Sequence, residues 1–210
     1  MERLCKPVNL IISLGLLFVF VIWLQYQLRK NDSSSKKAKY NYWKRESQAN
    51  TTRKSDISML DYIHLPIDRL PLEDNADPTV NSYRDTILSH SNKKILNLSS
   101  FSNTELKLKY GASNINLLSE YDNNYLIIIS ILHKWGERLY TNGYPEDALA
   151  VLETAIECKT DVHKTYCLLA KIYLQQDRPD KIDNLLDIIS SIPIRDKENL
   201  LRQIQTIKDS

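Results

Sequence analysis

The apolar positions of this chain follow two different rules. From Val8 to Leu24 almost every residue is apolar, and no charge lies between Lys6 and Arg29. From Leu126 onward, apolar residues return at steps of three and four, the spacing that lines one face of a helix. Within that second region one order of small and large residues occurs twice, 34 residues apart. Leu132, Trp135, Gly136, Leu139, Ala148, Leu152 and Ala155 correspond to Tyr166, Leu169, Ala170, Tyr173, Ile182, Leu186 and Ile189. The spacing predicts two helical hairpins, about residues 129–162 and 163–196, in which Gly136 and Ala170 let paired helices approach.

Local signals set the element boundaries. Asp122 predicts the cap of a helix with Leu126, Ile129, Leu132, Trp135 and Leu139 on its stripe, ending near Gly143. Further helices are predicted from Pro145 to Cys158, over 162–176, and from Pro179 to about 191. Pro193 breaks the pattern, and Asp196 caps a last helix from Lys197 to about Lys208. Upstream, Asp77-Pro78 reads as a cap and first-turn proline for a helix over about 78–90 with Tyr83, Ile87 and Leu88 on one face. Ser102 with Glu105 is a capping-box signature, and Gly111 is the stop after Leu106, Leu108 and Tyr110. Pro66 and Pro71 remove donors and bias their neighbours to extended backbone, so residues 57–76 are expected to lie as an extended strap or to serve as a short linear motif.

The repeated order at this period resembles the tetratricopeptide repeat, a helix–turn–helix unit. A closer likeness, over roughly residues 60–200, is to a group of uncharacterised membrane-anchored proteins of clostridial-type bacteria. It rests on the run from Asn97 to Gly111 and on Glu120-Tyr121-Asp122-Asn123-Asn124-Tyr125. The chain departs from the repeat pattern at Thr160 and Ile194, where the family commonly has proline, and at Ile182 and Ile189, where it has alanine. The resemblance implies an all-α fold, a short α-solenoid closed by helix 197–208, acting as a protein-interaction scaffold; it supplies no activity.

The apolar N-terminal segment is expected to be a transmembrane anchor over residues 8–28. At about 1.5 Å per residue, the uncharged run from Pro7 to Leu28 reaches roughly 33 Å, enough for a hydrocarbon core of about 30 Å. Trp23 and Tyr26 stand at its downstream end, and no small-residue cleavage site follows. The whole-chain charge of +2 hides an asymmetry. Residues 29–54 carry nine basic residues against Asp32 and Glu46, and residues 55–210 are acidic. Residues 29–56, polar and without period, read as a basic disordered tether. Such a stretch attracts anionic headgroups at about 1 kcal/mol per cation near the surface. Tyr40, Tyr42 and Trp43 lie among the cations, either as sticky residues in coil or as a membrane contact. The cations downstream of Leu28 favour a cytoplasmic domain, although short basic N-termini also precede exported domains, so both sides stay open. Nucleic acid is not an expected partner, because the folded part is acidic and has no recognition motif.

Little in the chain points to chemistry. His133 with Glu137, and Cys158 with His163 and Cys167, are the two arrangements with metal-ligating residue types, and neither completes a zinc set. Four glycines, none clustered, leave no phosphate loop. Glu146 and Asp147 are explained by the dipole at a helix start. No cofactor, metal or enzymatic activity is expected, and three cysteines are too few for a disulfide framework. Repeat geometry instead assigns a partner-binding groove to Ser130, His133, Glu137 and Tyr140 with Lys164, Cys167, Lys171 and Leu174. Their mixture suits a peptide with some acidic character. The expected function is a membrane-anchored scaffold that docks a protein or peptide; the alternative is a structural subunit packed permanently in a membrane or envelope complex.

Overall fold

In a computed structural model, residues 5–192 and 194–210 are described, and the side chains of residues 5–11 and 29–34 lie outside that description. So do Pro193 and the first stretch of the expected anchor. Among the described residues the chain is all-helical, with eight α-helices and no strand. These are α1 (Cys5–Asn50), α2 (Pro78–His90), α3 (Asn103–Tyr110), α4 (Ile115–Thr141), α5 (Pro145–Glu157), α6 (His163–Gln175), α7 (Pro179–Ser191) and α8 (Lys197–Lys208). Single 3-10 turns cover Ile67–Arg69 and Ala112–Asn114. Two compact units result. One is the chain up to Ser55 with Ser102–Ser113; the other is Asp56–Phe101 with Asn114–Ser210.

In the first unit α1 corrects the expectation of a disordered tether, since it continues as helix to Asn50. No glycine or proline occurs between Gly15 and Pro66. Helix nucleation is the costly step and propagation is cheap, so a helix begun in the apolar segment extends through Lys, Arg, Glu, Gln and Ala; it ends at Asn50, before Thr51 and Thr52 and well short of Pro66. Nor is this end of α1 without a partner. Ala49 is fully buried, Glu46 accepts from Thr104 at 2.6 Å and pairs with Lys107, and Arg45 lies 3.6 Å from Glu105. The chain then turns back beside α3, where Ser55 N–H donates to Tyr110 at 3.0 Å. Gly111 stops α3 with φ of +88°, and a Cβ there would stand 2.4 Å from the Arg53 carbonyl oxygen. Positive φ and that close approach both demand glycine. Helix α3 thus packs on residues that lie upstream of residue 57.

Ser102 and Glu105 form the capping box foreseen in the sequence. Asp77 likewise caps α2, its Oδ1 accepting from Thr79 N–H at 2.9 Å. Its second oxygen takes Arg138 of α4 and Asn142 just beyond its end, so the cap also fastens α2 to α4. These donors hold the Asp77 carboxyl well below the usual carboxylate range, the Asn142 bond contributing most. The strap lies as expected, with Leu65 and Leu70 buried, although a single 3-10 turn interrupts its extended run. Arg69 pairs with Glu157, and Lys159 with Asp61 at 2.6 Å.

Helix α4 begins well before Asp122. That carboxylate is internal to the helix and accepts from the Leu98 amide at 2.9 Å, tying down the preceding loop. The stripe also differs by one residue from the expected one. Leu126 is 49% exposed, while Tyr125 and Ile128 are buried beside Ile129, Leu132, Trp135 and Leu139. Leu88 is likewise exposed, and α2 buries Val80 and Ile87. On α7, Leu185 is buried and Leu186 only partly so.

From α4 onward the elements recur. The starts of α5 and α7 (Pro145, Pro179) are 34 residues apart, and so are those of α6 and α8 (His163, Lys197). Helices α4, α5 and α6 end alike, on a left-handed residue: Gly143 (φ 85°), Lys159 (φ 58°) and Asp177 (φ 54°). The next amide reaches back to the last turn in each, Tyr144 to Leu139 at 2.9 Å, Thr160 to Ala155 at 3.1 Å and Arg178 to Tyr173 at 3.0 Å. Orphan carbonyls are thereby satisfied and the chain reverses. Asp196 stands at the start of α8 but is itself left-handed. Its carboxylate takes Asn199 Nδ2 at 3.1 Å, so it is not the side-chain cap expected.

Trp135 is completely buried between the helices of this series, so Trp135→Ala is expected to cost about 3–5 kcal/mol in denaturant melts. A loss below about 1 kcal/mol would place the indole on the surface. A chain beginning at residue 57 is expected to keep cooperative melting of the second unit while the amides of α3 lose protection in hydrogen exchange. Protection of α3 equal to that of α4 would contradict its dependence on α1.

Candidate functional site

The eight residues expected to line a groove come from α4 and α6. Glu137, Lys164 and Lys171 are exposed, whereas Ser130, His133, Tyr140, Cys167 and Leu174 are half-buried. Several of the latter hold the helices together. His133 Nδ1 lies 3.2 Å from Thr165 Oγ1, and the Tyr140 hydroxyl donates to Gln175 at 2.9 Å. Each contact links α4 to α6. Cys167 Sγ donates to Gln203 of α8 at 3.3 Å, and Leu174 packs against the core. Tyr140, placed off the packing stripe by its offset, is thus partly a packing residue. Offsets along a helix locate a face, but not how closely the neighbouring helix approaches it.

What stays accessible on this face is charged. Lys164 and Lys171 carry no ion pair among the described residues. His133 is held below its ordinary value, first by burial and then by Lys164 and Lys134, with Glu137 acting against them. A neutral imidazole beside two exposed ammonium groups favours an anionic or hydrogen-bonding ligand over a cationic one.

The turn beneath this face has a polar arrangement that the repeat pattern did not disclose. Tyr125 and Tyr166, both buried, donate to consecutive carbonyls of the α5–α6 turn, Lys159 at 2.8 Å and Thr160 at 2.8 Å. Asn97 Nδ2 in turn donates to the Tyr125 hydroxyl at 2.9 Å. Thr160 Oγ1 accepts the Val162 amide at 3.2 Å, a local side-chain bond that helps hold the turn.

Cys158 and Cys167 are free thiols, Cys158 buried in the same turn. Among the described residues, no group of three or more His, Cys, Asp or Glu side chains is placed to hold a metal ion. The set Cys158, His163 and Cys167 is dispersed: His163 Nε2 lies 2.7 Å from the Arg195 carbonyl oxygen, and Cys167 faces Gln203. No family model, curated protein or solved structure matches the chain.

Burial pushes the Cys158 thiol up to about 12 and raises Tyr125 and Tyr166 as well. The folded protein then keeps the Cys158 proton where the unfolded chain has released it. This contribution to stability is whole below about pH 9 and is lost as pH rises toward about 12. Urea midpoints are expected to fall between about pH 8 and pH 10.5, and less steeply in Cys158→Ala. Equal slopes in the two proteins would contradict the burial of this thiol.

Proposed function

We propose that the chain is a membrane-anchored scaffold of tetratricopeptide-like hairpins that docks a protein or peptide on the α4–α6 face. The observation that carries this reading is the recurrence of helix starts, and of the left-handed turn at Gly143 and Asp177, at one 34-residue period, which is the length of that repeat. A repeated hairpin gains nothing catalytic from its packing residues; its exposed rows serve contact. Lys164 and Lys171 beside half-buried Tyr140 and Leu174 combine charge with apolar area, a mixture suited to a segment of acidic and apolar residues.

The anchor half of the proposal rests on α1. Among the described residues no helix is long and apolar enough to cross a membrane. The apolar side chains described run from Ile12 to Leu28, short of the roughly 20 residues a span needs, and the apolar sequence continues upstream from Ile12 to Val8. Those large apolar side chains, from Ile12 through Phe18, Phe20 and Trp23, are exposed on all sides of the helix. A helix that is apolar all round needs a surrounding apolar phase, and a bilayer supplies one. The basic residues that follow it suit anionic headgroups at the near end of the stalk. The excess of cations on this side of the apolar run favours a cytoplasmic placement.

Sedimentation with membranes after alkaline carbonate washing is the expected behaviour of the full chain, and release into the supernatant would contradict an integral anchor. For the docking face, Lys164→Glu with Lys171→Glu is expected to abolish partner recovery in quantitative co-purification while leaving the melting midpoint within a few degrees, since both side chains are exposed. Undiminished recovery would remove the α4–α6 face from the proposal.

A further inference from the structure

Because the basic stretch after Leu28 is helix and not coil, its side chains fall on faces. The face of α1 that packs on α3 is marked by Ala49, fully buried, and by Glu46, which holds Thr104 and Lys107. At about 100° per residue, Tyr40 lies opposite Ala49, and Lys36, Lys37, Trp43 and Lys44 lie within about 60° of Tyr40. All five side chains are exposed, Tyr40 by 67% and Trp43 by 58%. The Trp43 ring stands edge-on to Tyr42, with centroids 5.6 Å apart. One strip, about two turns long, thus sets lysines around two aromatic rings on the side of α1 away from α3.

The acids of this unit do not neutralise the strip. Residues 29–55 and 102–113 contain eleven basic residues against three acids, Asp32, Glu46 and Glu105. Glu46 is on the opposite face with Lys107, and Glu105 serves the α3 capping box and Arg45. Asp32, one turn before Lys36, offsets at most one charge. Lys37 and Lys44 form no ion pair among the described residues. The strip is therefore positive, and two copies of it repel each other. Its height sets it apart from the bilayer that would hold the anchor. Tyr40 is twelve residues beyond Leu28, roughly 18 Å along the axis at about 1.5 Å per residue. A headgroup layer is only about 5–8 Å deep on each side, so the start of the basic stretch falls within it and the strip stands clear. That step rests on the anchor reading given above; the charge and the exposed rings do not.

An occupant of this strip has to offer carboxylates to the lysines and apolar surface to the rings along one line of a helix. We propose that the strip docks an acidic amphipathic helix of a partner protein, its apolar stripe on Tyr40 and Trp43 and its carboxylates beside Lys36, Lys37 and Lys44. An anionic polymer that offers charge alone would leave both rings in water. The strip is separate from the α4–α6 face and does not depend on it.

The test uses the full chain in lipid nanodiscs and short amphipathic helical peptides followed by fluorescence anisotropy. A peptide with a leucine stripe flanked by glutamates is expected to bind about tenfold more tightly than its lysine-flanked or alanine-striped counterpart. Lys37→Glu with Lys44→Glu is expected to invert the glutamate-over-lysine preference, and Tyr40→Ala with Trp43→Ala to remove the leucine-over-alanine preference. All four positions are exposed, and circular dichroism checks that the variants remain folded. Binding is expected to be alike in discs of neutral and of partly anionic lipid, because the strip stands more than a Debye length of about 8 Å above the headgroups. Co-elution of the chain with the discs is scored separately, so failure of the anchor is told apart from failure of the strip. Loss of peptide binding in the anionic discs alone would place the strip on lipid and overturn the proposal. Equal or undetectable binding of the three peptides overturns it too, as does tighter binding of a single-stranded oligonucleotide through the same lysines. A glutamate preference kept in Lys37→Glu with Lys44→Glu but lost in Lys164→Glu with Lys171→Glu would assign binding to the α4–α6 face and overturn the strip.

Discussion

Helices α4 and α5 approach closely where Gly136 meets Leu152. A Cβ at Gly136 would stand 2.6 Å from both Cγ and Cδ2 of Leu152, whose side chain is wholly buried. No ordinary contact between carbon atoms is so short, so the hairpin closes only because this position lacks a side chain. Trp135 beside it is wholly buried. From this hairpin the rest follows in sequence: α5 turns at Lys159, α6 packs back on α4, and α7 and α8 repeat the move. A helical series built this way places its exposed rows by packing, and the polar contacts mainly fix the turns.

Those turns are where energy is concentrated. The Thr160 carbonyl is buried and would cost about 1–3 kcal/mol if left unpaired, and the Lys159 carbonyl next to it is partly shielded. Tyr125 and Tyr166 satisfy them from two different helices, so the α5–α6 turn is held by both hairpins together. Such a link makes the relative position of α4 and α6 definite, and with it the distance between Lys164 and Lys171 on one helix and Glu137 on the other. The indole N–H of Trp135 finds no partner among the described residues, so this tryptophan contributes through volume and not through hydrogen bonding.

Much of the second unit was legible in the sequence because periodicity and punctuation agreed there. Pro145, Pro179, Gly143 and the three-to-four spacing each marked the same boundaries, and α5 to α8 lie within a residue or two of expectation. Failures occurred where a residue has two uses. Asp122 can cap a helix or bind a distant amide, and the Leu98 amide claimed it. Leu126 and Tyr125 both fit an apolar stripe within one residue, and the chance of a hydroxyl bond to Lys159 turned Tyr125 inward. The polar stretch after Leu28 looked unable to bury a core, which is true, yet helix propagation requires no core once a neighbouring segment has nucleated it. Of the candidate site, the offsets proposed a face but did not disclose that Tyr140, Cys167 and Leu174 are partly occupied by helix packing.

The dependence of the fold on the Gly136–Leu152 approach is open to a direct measurement, a double-mutant cycle of Gly136→Ala and Leu152→Ala read by chemical denaturation. Gly136→Ala alone is expected to destabilise the protein, because the added methyl meets a buried side chain and not solvent. In the Leu152→Ala background the same methyl enters the space vacated, so its cost should fall by about 1 kcal/mol or more, a coupling characteristic of residues in contact. Additive losses within about 0.5 kcal/mol, or no loss from Gly136→Ala, would contradict the close approach on which this helical series is built.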